Sequence, residues 1–170
     1  MYFEYIIEIL TKGRNLYMNF KKINISQIIF IVLSVMCMVL IFMFSADNGE
    51  ESSNKSGFIV KIVQFFLGEE SNPKIAENLS FIVRKTAHFS IYALLGFLVS
   101  GSFALRKLFS KAMWIVLLIC FLYACSDEVH QLFVPGRSGH IRDVAIDTSG
   151  AFLGIVIFTA FLQNKSKKSE

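Results

Sequence analysis

The stretch ISQIIFIVLSVMCMVLIFMF, residues 25–44, holds no charged side chain. At 1.5 Å per helical residue it reaches about 30 Å, the thickness of a bilayer's hydrocarbon core. It begins after Lys21 and Lys22 and stops at Ser45, Ala46 and Asp47. A secretory signal would place small residues ahead of its cleavage point. If cutting followed Ala46, the bulky Phe44 would sit where a small residue is needed. The run therefore reads as an uncleaved membrane span.

Three further apolar runs follow it. The second covers about residues 87–105 and stops at Arg106 and Lys107. The third covers residues 112–134, is broken by Asp127, Glu128, His130 and Gln131, and ends at Pro135 and Gly136. The fourth starts near Arg142 and reaches Leu162, ahead of Lys165, Lys167 and Lys168. Composition agrees: 54% of the 170 residues are hydrophobic and 18% are charged, whereas soluble domains carry about 25% charge. The expected fold is all-α, an integral membrane bundle of four transmembrane helices. An N-terminal interfacial helix is expected within residues 1–20, where Tyr2, Phe3, Ile6, Ile7 and Leu10 mix with charge. Between spans one and two, a Ser-rich stretch (45–56) leads into an outer amphipathic segment (57–67) rich in Phe and Ile. A helix then starts after Asn72 and Pro73 and continues into the second span. This divides the chain into an N-terminal segment 1–24, a membrane domain 25–162 and a basic tail 163–170.

Orientation follows from the basic residues. With both termini in the cytoplasm, the inner side holds ten bases: Lys12, Arg14, Lys21, Lys22, Arg106, Lys107, Lys111, Lys165, Lys167 and Lys168. It holds three acids, Glu4, Glu8 and Glu170. The short loop from Arg106 to Lys111 carries the most weight, because positive-inside bias is read from short loops. A cell-membrane, multi-pass protein with lipid partners is the expectation. The formal charge of +4 does not indicate nucleic acid, since the bases flank apolar runs and form no stripe. Cys37, Cys120 and Cys125 all lie in apolar runs without a CxxC spacing, which predicts packing and no zinc knuckle.

Charges inside membrane spans face a bundle interior or a wet cavity and mark function. Lys85, His88 and Tyr92 fall on one helical face of span two, and Asp127 and Gln131 are i, i+4 on span three. Glu128 stands about 100° from Asp127, so one of the two is expected in the site and the other as its orienting partner. On span four, Asp143, Asp147, Gly150 and Gly154 make one stripe whose glycine half suits close helix packing. By helical rise, Asp127 lies about 10 Å below Pro135 and Asp147 about 7 Å below Arg142. All these groups then meet at one depth under the outer surface. The loop of residues 135–140 is fit to fold over them, with two glycines and with Arg137 as a planar bidentate donor. The bland alternative is that Lys85, Arg137 and Arg142 merely neutralise the four acids. Carboxylates with His88 could hold Mg²⁺ or Mn²⁺ through His88, Asp127, Glu128 and Asp143. No ligand spacing demands it, and neither metal nor cofactor is assigned.

The stretch Arg84-Lys85-Thr86-Ala87-His88-Phe89 with Tyr92 resembles the first signature of the VanZ-like family. Residues 127–137, DEVHQLFVPGR, resemble its second. Asp143, Gly150 and Gly154 match the pattern that closes it, and Phe44-Ser45 with Ser52, Ser53 and Ser56 resembles its opening motif. The likeness covers about residues 25–160; Asp147 stands where many relatives have Asn. The resemblance implies a bacterial envelope setting and a link to tolerance of teicoplanin, a lipid-tailed glycopeptide that binds cell-wall precursors. It implies no reaction.

Two functional readings follow. In the first, the cluster binds or alters an envelope component, a lipid-linked cell-wall precursor or a lipoglycopeptide, at the outer leaflet. Lys85, Tyr92, Glu128, Gln131, Arg137 and Asp147 would contact it. In the second, the protein is a membrane-embedded hydrolase or transferase with His88, Asp127 and Asp143 as acid–base groups. An ion pathway fits less well, because the ionisable groups share one depth and the inner halves of the spans read as dry.

Overall fold

A computed structural model describes residues 24–67 and 73–167. The interfacial helix expected within residues 1–20 lies outside the described residues. Five helices follow in order: α1 Ile25–Ser45, α2 Gly49–Leu67, α3 Pro73–Ser102, α4 Lys111–Gln131 and α5 Ile141–Lys167. Among the described residues there is no strand. Helices α1, α3, α4 and α5 are each long and apolar enough to cross a membrane, whereas α2 is not among them. The outward surface of α1 is apolar along its length, with Ile28, Val32, Val35, Met36, Val39 and Met43 exposed. Such a face is stable against lipid and not against water.

The expected elements recur with shifted ends. Span two is the second part of a continuous α3 that starts at Pro73, as the sequence indicated, and stops at Ser102, short of Leu105. At 30 residues α3 is about 45 Å long, more than a bilayer core needs. Counting about 30 Å back from Ser102 reaches residues 82–85, which puts Arg84 and Lys85 where the apolar slab would end. The polar stretch after Ser45 is helical as well. It forms the first half of α2, which begins at Gly49 and packs on the early part of α3 through Ser56 Oγ and Ser80 Oγ, 2.8 Å apart. α5 continues past Leu162 to Lys167.

The tightest packing joins α3 and α5. A Cβ on Gly150 would collide with the Phe89 carbonyl, one on Gly154 with the Ala93 carbonyl, and one on Gly96 with the Ala151 carbonyl. Small residues on both helices thus bring backbone against backbone, the contact that supplies association energy when lipid offers no hydrophobic contrast. At the end remote from the acids, Phe30, Phe97 and Phe158 pack edge to face, at 5.1 Å between Phe97 and Phe158. Polar side chains in that half, Ser100 and Thr159, bond carbonyls of their own helices. Cys37 and Cys120 are buried packing residues, and all three cysteines are free. Tyr123 crosses from α4 to donate to the Met38 carbonyl at 2.6 Å, fixing α4 on α1.

Candidate functional site

The C-terminal ends of α1 and α4, the middle turns of α3 and the N-terminal turns of α5 meet at one end of the bundle. The polar residues gathered there form two levels. At the mouth, Lys85 Nζ donates to Asp143 Oδ2, an ion pair between α3 and α5. The same ammonium sits 5.3 Å above the Phe81 ring. One turn deeper, His88 Nδ1 lies 3.6 Å from Asp147 Oδ1, beyond hydrogen-bond length. Asp147 is 0% exposed and Asp127 4%. Gln131 Nε2 donates to Asp127 Oδ2 at 3.2 Å, as their i, i+4 spacing on α4 allows. Tyr92 is fully buried on the face that carries His88.

Several buried atoms in this base have no hydrogen-bond partner: both carboxylate oxygens of Asp147, His88 Nδ1 and the Tyr92 hydroxyl. Buried polar groups are nearly always bonded, and a charge left unpaired is costly. The polar end is therefore incompletely self-neutralised. Its mouth is closed by the hydrogen-bonded Lys85–Asp143 pair, whereas His88 and Asp147 in the base face each other at 3.6 Å without a hydrogen bond.

A cavity of about 180 Å³ opens above the base, with His88 and Gln131 at its floor and Arg84, Lys85 and Arg137 on its walls. The α4–α5 loop forms one side. It is latched twice: Glu128 Oε2 accepts from the His140 backbone N–H at 2.7 Å, and Arg137 donates from Nε to the Asp47 carbonyl and from Nη2 to the Phe44 carbonyl. Gly136 takes φ +74° and lies against Gly49, whose N–H donates to the Pro135 carbonyl. Gly139 passes so close to the Glu128 carbonyl that a Cβ there would clash. Burial lowers the Arg137 guanidinium from its ordinary value and nearby Arg84 adds to this, without removing the charge.

The nine residues singled out from sequence thus converge on one end but divide by task. His88, Tyr92, Asp127, Gln131 and Asp147 form the base, and Lys85 with Asp143 forms the mouth. Glu128 and Arg137 hold the loop, and Arg137 also faces the cavity. The four donors weighed for a metal do not come together as a set. Asp143 is taken by Lys85 and Glu128 by the loop, whereas Asp147 joins His88 and Asp127, one donor atom from each lying within 4.8 Å of the others. Sequence reasoning passed over Arg84, although it precedes Lys85 in the same motif. It also missed how α1 is tied in: Ser45 Oγ lies 3.2 Å from His130 Nδ1, and Phe42 stacks on the His130 ring.

A family model described as VanZ/LLP1 matches residues 30–162. The chain belongs to the VanZ/LLP1 family. The matched stretch includes every residue of the base, the mouth and the loop. Comparison with curated proteins finds no match, and comparison with solved structures finds none.

Proposed function

We infer that this VanZ/LLP1 protein lies in the cell membrane with its polar end at the outer leaflet and both termini in the cytoplasm. There it takes the anionic head group of a lipid or lipid-linked envelope component. The observation that carries this reading is the cavity wall. Arg84, Lys85 and Arg137 bring three cations to a space of about 180 Å³, and by helical rise Arg84 and Lys85 fall near where an apolar slab of about 30 Å would end. Lys85 already answers Asp143, and Arg137 spends two of its five N–H donors on the Phe44 and Asp47 carbonyls. Arg84 and the remaining Arg137 donors are left to face a phosphate or carboxylate. The Arg106–Lys111 bases at the opposite end support the orientation. Holding or altering such a component is also the route by which the protein would give tolerance to a teicoplanin-type glycopeptide. The test is mass spectrometry of lipids that copurify with the detergent-solubilised protein. A phosphorylated or otherwise anionic lipid enriched over the bulk membrane is expected, and a bulk-like profile contradicts the reading.

A second reading, acid–base chemistry on the bound component, is favoured by one observation. His88 lines the cavity and touches the level of two buried carboxylates, so a proton could pass between substrate and base. Asp127 suits that role better than Asp143, which Lys85 engages. A defined new lipid or polymer product in cells that carry the protein separates this reading from binding alone.

A further inference from the structure

His88 from α3, Asp127 from α4 and Asp147 from α5 each offer one donor atom, and the three atoms lie within 4.8 Å of one another. Donors at about 2.0–2.2 Å from a single ion stand roughly 3–4 Å apart around it, so the triad needs only a small inward adjustment. A second observation points to a ligand at the same place. Asp147 is wholly buried, yet neither of its oxygens has a hydrogen-bond partner, and His88 Nδ1, which faces it at 3.6 Å, has none either. Lys85, one turn away on α3, is already engaged by Asp143.

We propose that His88, Asp127 and Asp147 hold one divalent transition-metal ion. Two carboxylates and a neutral imidazole bring a charge of −2 into a low-dielectric interior, and a divalent ion cancels it. A mixed imidazole and carboxylate set suits Mn²⁺ or Zn²⁺; an all-oxygen set would suit Mg²⁺ or Ca²⁺. The surroundings fit. Gln131 fixes one oxygen of Asp127 by a hydrogen bond, the way outer residues orient metal-binding carboxylates. Tyr92, buried one turn along α3, brings an unpartnered hydroxyl to the same interior. His88 keeps 26% of its side chain exposed and lines the cavity, giving the ion an entry path and a face open to ligand. The proposal stands on the base of the site and not on what the cavity wall binds.

The experiment uses the full chain in phosphatidylcholine nanodiscs, stripped with chelator and titrated separately with Zn²⁺, Mn²⁺ and Mg²⁺. Bound metal after desalting is measured by elemental mass spectrometry, and thermal unfolding is followed in parallel. One Zn²⁺ or Mn²⁺ per chain is expected, with a raised unfolding temperature and weaker uptake of Mg²⁺. Asp147→Asn and His88→Ala should each lose the bound ion, while Asp143→Asn should keep it. Stripped wild-type protein that takes up neither Zn²⁺ nor Mn²⁺ overturns the proposal, whatever the variants do. So does uptake that survives both Asp147→Asn and His88→Ala, which puts the ion elsewhere. No anionic lipid is present, so either failure leaves the head-group reading to its own test.

Discussion

His88 Nδ1 stands 3.6 Å from Asp147 Oδ1 across the α3–α5 interface, and neither atom has a hydrogen-bond partner. The same two helices are drawn together one and two turns further on by Gly150 against Phe89 and Gly154 against Ala93. Close glycine packing thus holds an acid and an imidazole face to face where lipid would otherwise exclude them. Packing and site chemistry share one interface.

That interface gives the first prediction. Gly150→Leu or Gly154→Leu drives a side chain into a backbone carbonyl, which cannot yield as a flexible side chain would. Overpacking of this kind costs about 1–3 kcal/mol or more. Folded protein recovered from membranes and its unfolding temperature in detergent should both fall. Gly57, with nothing within 4 Å of a Cβ, should accept Ala with little change.

The mouth gives the second. Lys85 and Asp143 are partly exposed, 23% and 10% by side chain, so their pair is screened and worth less than a fully buried one. Lys85→Met alone leaves a carboxylate unpaired and should lower abundance. Lys85→Met with Asp143→Leu should recover most of the loss, measured as folded protein per cell.

The loop gives the third. Glu128→Ala removes the acceptor for the His140 N–H, a charge-assisted bond worth about 1.5–3 kcal/mol. Hydrogen exchange at the His140 amide should quicken by roughly ten- to a hundredfold if that stabilisation governs local opening. An unchanged rate shows that the Arg137 latch alone holds the loop.

Orientation is the fourth. Reporter fusions after Ser56 and after Gly139 should read as external, and one after Lys107 as internal. An internal signal at Gly139 reverses the molecule and moves the cavity to the inner leaflet.

The four spans were legible because an apolar run of about 20 residues has few other uses. The convergence of the site was legible from helical spacing: His88 and Tyr92 share a face, as do Asp143, Asp147 and the two glycines. What spacing could not give is which acid meets which base. Asp143 and Asp147 lie on one stripe, yet Lys85 reaches the first and His88 the second, because the vertical register of α3 against α5 is set by the glycine contacts. The helical start of α2 was not legible, because the stretch 45–56 reads only as Ser-rich and polar, with no apolar period to mark a helix. The Ser56 hydroxyl instead bonds the Ser52 carbonyl one turn back and meets Ser80 Oγ.

The central claim is that the polar end works on a ligand and does not merely balance helix-end charge. The most direct measurement compares cells carrying the wild-type chain, no chain, or Asp127→Asn combined with Asp147→Asn. Both changes keep shape and remove charge from positions that are 4% and 0% exposed. Neither oxygen of Asp147 has a hydrogen-bond partner, the amide oxygen introduced at position 127 can still accept from Gln131, and each amide removes a buried charge that costs stability. The double variant should therefore reach the membrane at wild-type level yet lose the lipid change or glycopeptide tolerance that the intact protein confers. A double variant that is equally abundant and fully active contradicts the account and leaves a helix bundle with a decorative end.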